Sequence, residues 1–258
     1  MKIKKNKDRQ QLYFVRFIPT LMSLLAMCCG VSAIKYSYAG SFMIAVSLLL
    51  FACFLDGIDG RVARFLNVSS DFGAEMDSLA DLVNFGVAPG FIVYCWKLNE
   101  VECNGIAWAV VMLLACCMAI RLARFNVDLT TKDQNDPLVK YFFKGVPAPA
   151  AAGLVIFPLI LNFKFGVGFW TSPTYVLINT LVIALLAGGT VPTPCFKKIK
   201  IAPQYRNLVL IIATMIAVLL VSSPWLAFSV IGLLYIVSII IGIFVYLHFK
   251  KEKVNHVK

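Results

Sequence analysis

Histidine is nearly absent from this chain and acid is scarce. The two His, His248 and His256, stand at the far C-terminal end, and 13 Asp and Glu face 24 Lys and Arg. A His-based catalytic or metal centre in the body of the chain is thereby excluded. Polar sequence is short as well, the longest stretch running only from about Val127 to Gly145, which leaves no room for a soluble domain. The eight cysteines (28, 29, 53, 95, 103, 116, 117, 195) contain no C-x-x-C. Nearly all sit inside apolar runs and read as small apolar fillers rather than disulfides or ligands. No internal repeat is visible, which argues against an inverted-repeat transporter.

What is present is grease. With 60% of 258 residues hydrophobic, 14% charged and a mean hydropathy of +0.83, the chain is an integral, multi-span membrane protein. Apolar runs long enough to cross a bilayer lie at roughly 17–35, 41–62, 74–96, 105–125, 147–163, 174–190, 206–222 and 225–248. The expected fold is all-α, a polytopic membrane helical bundle, with residues 1–16 as a basic N-terminal segment, 17–190 as a six-span core, and 191–258 as two further spans with a basic tail. The first 16 residues show no cleavage pattern and are expected either to lie along the interface or to form a free tail. Eight spans put every Lys and Arg except Lys35, Lys97 and Lys164 on one face. The positive-inside rule then places both termini and that face on the cytoplasmic side of an inner or plasma membrane.

Four of the few acids fall inside or beside these runs. Asp56, Asp59, Gly60 and Ala63 are spaced i, i+3, i+4, i+7 on the second span, and Gly73, Asp77, Asp81, Asn84 and Ala88 follow the same periodicity on the third. Each set therefore shares one helical stripe. A charge near the bilayer centre costs about 2.5–3.5 kcal/mol on insertion scales, so such acids imply a partner. Clustered hard oxygens suit divalent cations: Mg²⁺, Mn²⁺ or Ca²⁺. Gly60 and Gly73 would let a bulky ligand approach the backbone. Phosphate in the same place would reconcile the cations with Arg61, Arg64, Arg121 and Arg124. Glu75, about 200° from Asp77, is expected in solvent, and Asp71 as a turn or capping residue. The bland alternative is that the aspartates pair with those arginines. The last two spans, which hold no acid, are expected only to pack.

Residues 56–81 carry D-x-x-D-G-x-x-A-R-x(8)-G-x-x-x-D-x-x-x-D, and this stretch resembles the signature of the CDP-alcohol phosphotransferase family. F-G-A-E-M-D-S-L-A-D-L-V-N-F-G-V-A-P, R-L-A-R-F-N-V at 121–127 and F-K-G-V-P-A-P-A-A-A-G at 143–153 resemble its phosphatidylserine synthase branch, with Asn84 where Ser is expected. The resemblance implies a six-span catalytic core, usually a homodimer, that binds CDP-diacylglycerol and two divalent cations in a cytoplasm-facing cavity. On that basis Asp56, Asp59 and Asp77 are metal ligands, and Asp81 helps bind metal and takes the proton of the attacking alcohol. Gly60, Ala63, Arg64 and Gly73 line the CDP site. Arg121, Arg124 and Lys144 are candidate contacts to a substrate phosphate or an acceptor carboxylate, Arg124 foremost, with topological anchoring as the alternative.

The implied reaction moves the phosphatidyl group to L-serine, giving phosphatidylserine and CMP. Direct displacement is expected, since no His and no Cys is expected near the cluster, and the H-x-K-x(4)-D motif of phospholipase-D-like enzymes is absent. Glycerol 3-phosphate, an inositol phosphate or a second lipid remain possible acceptors, and a divalent-cation path is the non-enzymatic alternative. Membrane lipids are the expected surroundings; no nucleic-acid partner is expected.

Overall fold

The computed structural model describes residues 2–66, 70–102, 104–130, 142–189, 192–194 and 206–255. All eight apolar segments are helical. α1 (Lys2–Tyr38) and α2 (Phe42–Phe65) form a hairpin, and α3 (Asp71–Asp81) runs through a π-helical segment (Leu82–Val87) into α4 (Ala88–Trp96). α5 (Asn104–Thr130) returns, followed by α6 (Ala148–Val155), α7 (Phe157–Phe165), α8 (Pro173–Gly188), α9 (Arg206–Ser222) and α10 (Pro224–Asn255). The N-terminal segment is the first part of α1, continuous with the first span.

Five helical segments are long and apolar enough to cross a membrane: Phe17–Tyr38, Phe42–Val62, Asp71–Trp96, Gly105–Val127 and Pro224–Gly242. The pair Ala148–Val155 and Phe157–Phe165, bent by 47°, makes a sixth if it counts as one span. Pro173–Gly188 and Asn207–Ser222 are apolar but shorter. At 1.5 Å per residue they reach about 24–26 Å, less than the roughly 30 Å of a hydrocarbon core. The protein is a multi-pass helical membrane bundle, and six of the eight expected spans meet the length of a full crossing.

The bend has a chemical cause. Pro158 has no N–H to give the Leu154 carbonyl one turn earlier, and Asn179 Nδ2 of α8 donates to that carbonyl at 3.0 Å instead. An amide from a neighbouring helix thus satisfies a backbone acceptor that lipid could not.

Small residues set the centre of the bundle. On α1, Thr20, Ser23, Ala26, Gly30, Ala33 and Ser37 recur every three or four residues and all are buried. Ala45, Leu49 and Ala52 form the matching buried stripe of α2. Such faces let helix backbones approach closely where no water-driven force separates protein from lipid. α5 packs antiparallel against the third span, with Ser78 beside Asn126, Gly86 against Met118 and Gly90 against Leu114. A short antiparallel pair, β1 (Phe142–Lys144) with β2 (Pro192–Pro194), joins the connections beyond α5 and α8, a local feature that the apolar periodicity does not announce. Gly145 follows β1 at φ 83°, with the Gly189 and Ala187 carbonyls about where a Cβ would stand.

Candidate active site

The stripe that carries Ala45, Leu49 and Ala52 continues at Asp56 and Asp59, so the helix face that packs protein at one end carries acid at the other. Asp77 comes to meet it from α3. One carboxylate oxygen each from Asp56, Asp59 and Asp77 lie within 4.8 Å of one another. Asp59 is 4% exposed; Asp56, Asp77 and Asp81 are half-buried. Asp81, one turn deeper than Asp77, lies beside Asp56, the two carboxyls within hydrogen-bonding reach.

Sequence reasoning missed Ser23. Its hydroxyl, on α1, donates to Asp59 Oδ2 at 2.9 Å and also lies next to Asp77. The third helix thereby fixes one oxygen of Asp59 and leaves the other free. The buried run of small residues on α1, with Thr20 and Ser23 at its acid end, was the signal available.

The simple ion-pair alternative does not fit this geometry. Among the described residues none of the four aspartates forms an ion pair; Lys97 pairs with Glu100 at the other end of the bundle. Arg64 Nε donates to its own Gly60 carbonyl at 2.9 Å. Three carboxylates gathered without a cation of the protein's own are a donor set for a hard divalent ion. Above them the stripes turn to Ala52, Leu49 and Ala88, all buried, and among the described residues no further acid continues a path through the bundle.

The two glycines differ. Gly60 is exposed, and a Cβ there would meet nothing within 4 Å, so that helix face is open. Gly73 donates its N–H to Ser70 Oγ at 3.1 Å, and a Cβ there would press on that oxygen and on Thr20 Oγ1. Ser70 is thus the N-cap of α3, and Asp71, expected as a turn or cap, is instead the first helical residue, where its charge suits the helix dipole. Glu75 is exposed as expected. The side chain of Ala63 lies outside the described residues.

Arg121 and Arg124 part company. Arg124 Nη2 donates to the Gly188 carbonyl at 2.5 Å, across to the end of α8, where Gly188 also sits against Cys117. Arg121 is half-buried and interacts electrostatically with Asp81. Lys144 is held by its backbone in β1, paired with Pro192; its side chain lies outside the described residues. Asn84 is fully buried in the π-helical turn with neither amide atom hydrogen-bonded, and a Cβ on Gly30 would overlap its Oδ1. The expectation that no cysteine lies near the cluster is corrected. Cys53, one turn above Asp56, interacts with both Asp56 and Asp81. Its neighbours are carboxylates, however, not the base or cation that activates a thiol.

Comparison with known proteins adds two findings. The family model for CDP-alcohol phosphatidyltransferase matches residues 16–186, and that for CDP-alcohol phosphatidyltransferase 2 matches residues 204–239. The chain is 36% identical over 226 residues to a CDP-diacylglycerol–serine O-phosphatidyltransferase of Mycobacterium leprae, covering 87% of this chain and 74% of the relative. It is 37% identical over 238 residues to the enzyme so named from Helicobacter pylori strain J99, covering 91% and 95%. A Bacillus subtilis relative of the same name is 32% identical over 184 residues, covering 71% and 93%.

Proposed function

The chain belongs to the CDP-alcohol phosphatidyltransferase family, and from that membership we propose that it moves the phosphatidyl group of CDP-diacylglycerol to the hydroxyl of L-serine, releasing CMP and forming phosphatidylserine. The relatives so named and the unpaired aspartate cluster support this reading; the meeting of Asp56, Asp59 and Asp77 within 4.8 Å carries it.

Two divalent cations, Mg²⁺ or Mn²⁺ with Ca²⁺ as a possible occupant, would be held by Asp56, Asp59, Asp77 and Asp81 and would neutralise the pyrophosphate. Ser23 orients Asp59 by donating to one of its oxygens. The open face at Gly60 admits the cytidine diphosphate alongside α2, with Ala63, Arg64 and Gly73 around it. A serine hydroxyl is a weak nucleophile at neutral pH, and a base within reach is worth about 10²–10⁴-fold. Asp81, beyond Asp56 from the solvent end, takes that proton at its carboxylate as the serine oxygen bonds to the lipid-side phosphorus and the bond to CMP breaks. Arg121 beside Asp81 faces the acceptor's carboxylate. Arg124 and Lys144 complete the basic rim.

Lys35, Lys97 and Lys164 follow or end helices at the pole away from the aspartates. That supports both termini and the active site facing the cytoplasm. A homodimer in the inner or plasma membrane is the assembly we propose.

The test is to incubate purified protein with CDP-diacylglycerol and Mg²⁺ or Mn²⁺, and with serine, glycerol 3-phosphate, inositol phosphate or no acceptor. Serine-dependent CMP release with phosphatidylserine as the lipid product is expected, silenced by EDTA and restored by either metal. CMP release that depends on another alcohol would replace the acceptor, and full activity in excess EDTA would remove the metals.

A further inference from the structure

The terminal helix was expected only to pack, yet its inward face leads to the active site. Trp225, Phe228, Gly232, Tyr235 and Ile239 recur on α10 at spacings of three and four, and all are buried or half-buried, as on a helix with one packing face. Trp225 meets Phe163 of α7 edge to face, ring centres 4.8 Å apart. At Gly232 the two helices are so close that a Cβ would overlap the Phe157 ring. That close approach carries Tyr235, one turn on, against the central core.

Arg121 is at the other side of this contact. Its Nε is buried with no hydrogen-bond acceptor among the described residues, an arrangement that is costly unless a partner arrives. Asp81 and Tyr235 are the groups with which its guanidinium interacts electrostatically. Arg121 thus stands between the proposed base and a phenol supplied by a helix outside the stretch matched by the first family model.

We infer that Tyr235 is a positioning residue whose phenol holds the Arg121 guanidinium toward the acceptor end of the site, so that the terminal helix builds part of the pocket for an alcohol bearing a carboxylate. This rests on the functional reading above and deepens it. Ring packing alone would need only the aromatic face; positioning needs the hydroxyl.

Tyr235→Phe separates the two. In lipid nanodiscs with saturating metal it should raise the KM for serine about three- to tenfold, the range of one hydrogen bond, while the KM for CDP-diacylglycerol and the unfolding midpoint stay unchanged. In Arg121→Lys, the same change should add little. An unchanged serine KM, or equal rises in both KM values, would overturn the inference. Independently of activity, Arg121→Cys paired with Tyr235→Cys, in a chain with Cys116 and Cys117 replaced by Ala, should be joined by a short bifunctional thiol reagent; failure to cross-link would overturn it too. If the unaltered enzyme released no CMP with serine, the functional reading would fall, and the cross-link would still decide whether these side chains meet.

Discussion

Two helices of the bundle are equally apolar and built in opposite ways. The inward stripe of α1 is Thr20, Ser23, Ala26, Gly30, Ala33 and Ser37, all small and all buried. α9 carries Leu210, Ile211, Met215 and Val218, all large and all exposed, and packs chiefly on α10. Hydropathy alone treats them alike. Size tells them apart, because small residues let protein meet protein in lipid, whereas large aliphatics meet acyl chains at no cost. The catalytic reading depends on the first kind: a tight three-helix contact is what brings side chains from α1, α2 and α3 to one point.

The sharpest way to break the comparison is at the acid end of the tight face. Asp59→Asn should lower turnover about 10³-fold, the scale of several kcal/mol of charge stabilisation, with the helical circular dichroism retained. Asp81→Asn should cost about 10²–10⁴-fold in transfer while CDP-diacylglycerol binding, measured by calorimetry, stays largely intact; equal loss of binding and transfer would remove its role as base.

The glycines sharpen it next. Gly30→Val drives a side chain into Asn84 and should destabilise the protein by about 1–3 kcal/mol, read as a lower unfolding midpoint in detergent. Gly60→Val meets no protein atom, so it should leave that midpoint alone and weaken nucleotide-lipid binding. If both changes acted only on stability, the open face at Gly60 would have no ligand.

Much of this was legible beforehand, for reasons particular residues make clear. Helical periodicity put Asp56 with Asp59 and Asp77 with Asp81, because a stripe follows from spacing alone. Apolar run length found the eight helices. It could not tell full spans from Pro173–Gly188, since an end is fixed by Gly189 and the turn beyond it rather than by hydropathy. Ser23 was hidden because a lone Ser in an apolar helix has no pattern of its own; it acquires meaning only when α1 is set against α2. Tyr235 was hidden for the same reason, Gly232 being an unremarkable residue until Phe157 is placed against it. The split between Arg121 and Arg124, one turn apart, depends on where α8 ends and could not be read from the two positions themselves.

Arg124→Ala tests that split at lower stakes. Losing a charge-assisted bond to the Gly188 carbonyl should cost about 1.5–3 kcal/mol of stability, with the serine KM changing far less than in Arg121→Ala; the reverse ranking would return Arg124 to the substrate. Smallest of all, Ile211→Ala on the lipid-facing side of α9 should shift stability by about 0.5 kcal/mol or less. A large loss there would mean that α9 has a protein partner.

The central claim is that aspartates from two helices share bound metal. Crystals grown with Mn²⁺ and CDP-diacylglycerol, recorded at the manganese absorption edge, test it most directly. Anomalous peaks bridging Asp56, Asp59 and Asp77 against the pyrophosphate are the expected result, whereas nucleotide bound with no peak at those carboxylates would contradict the account.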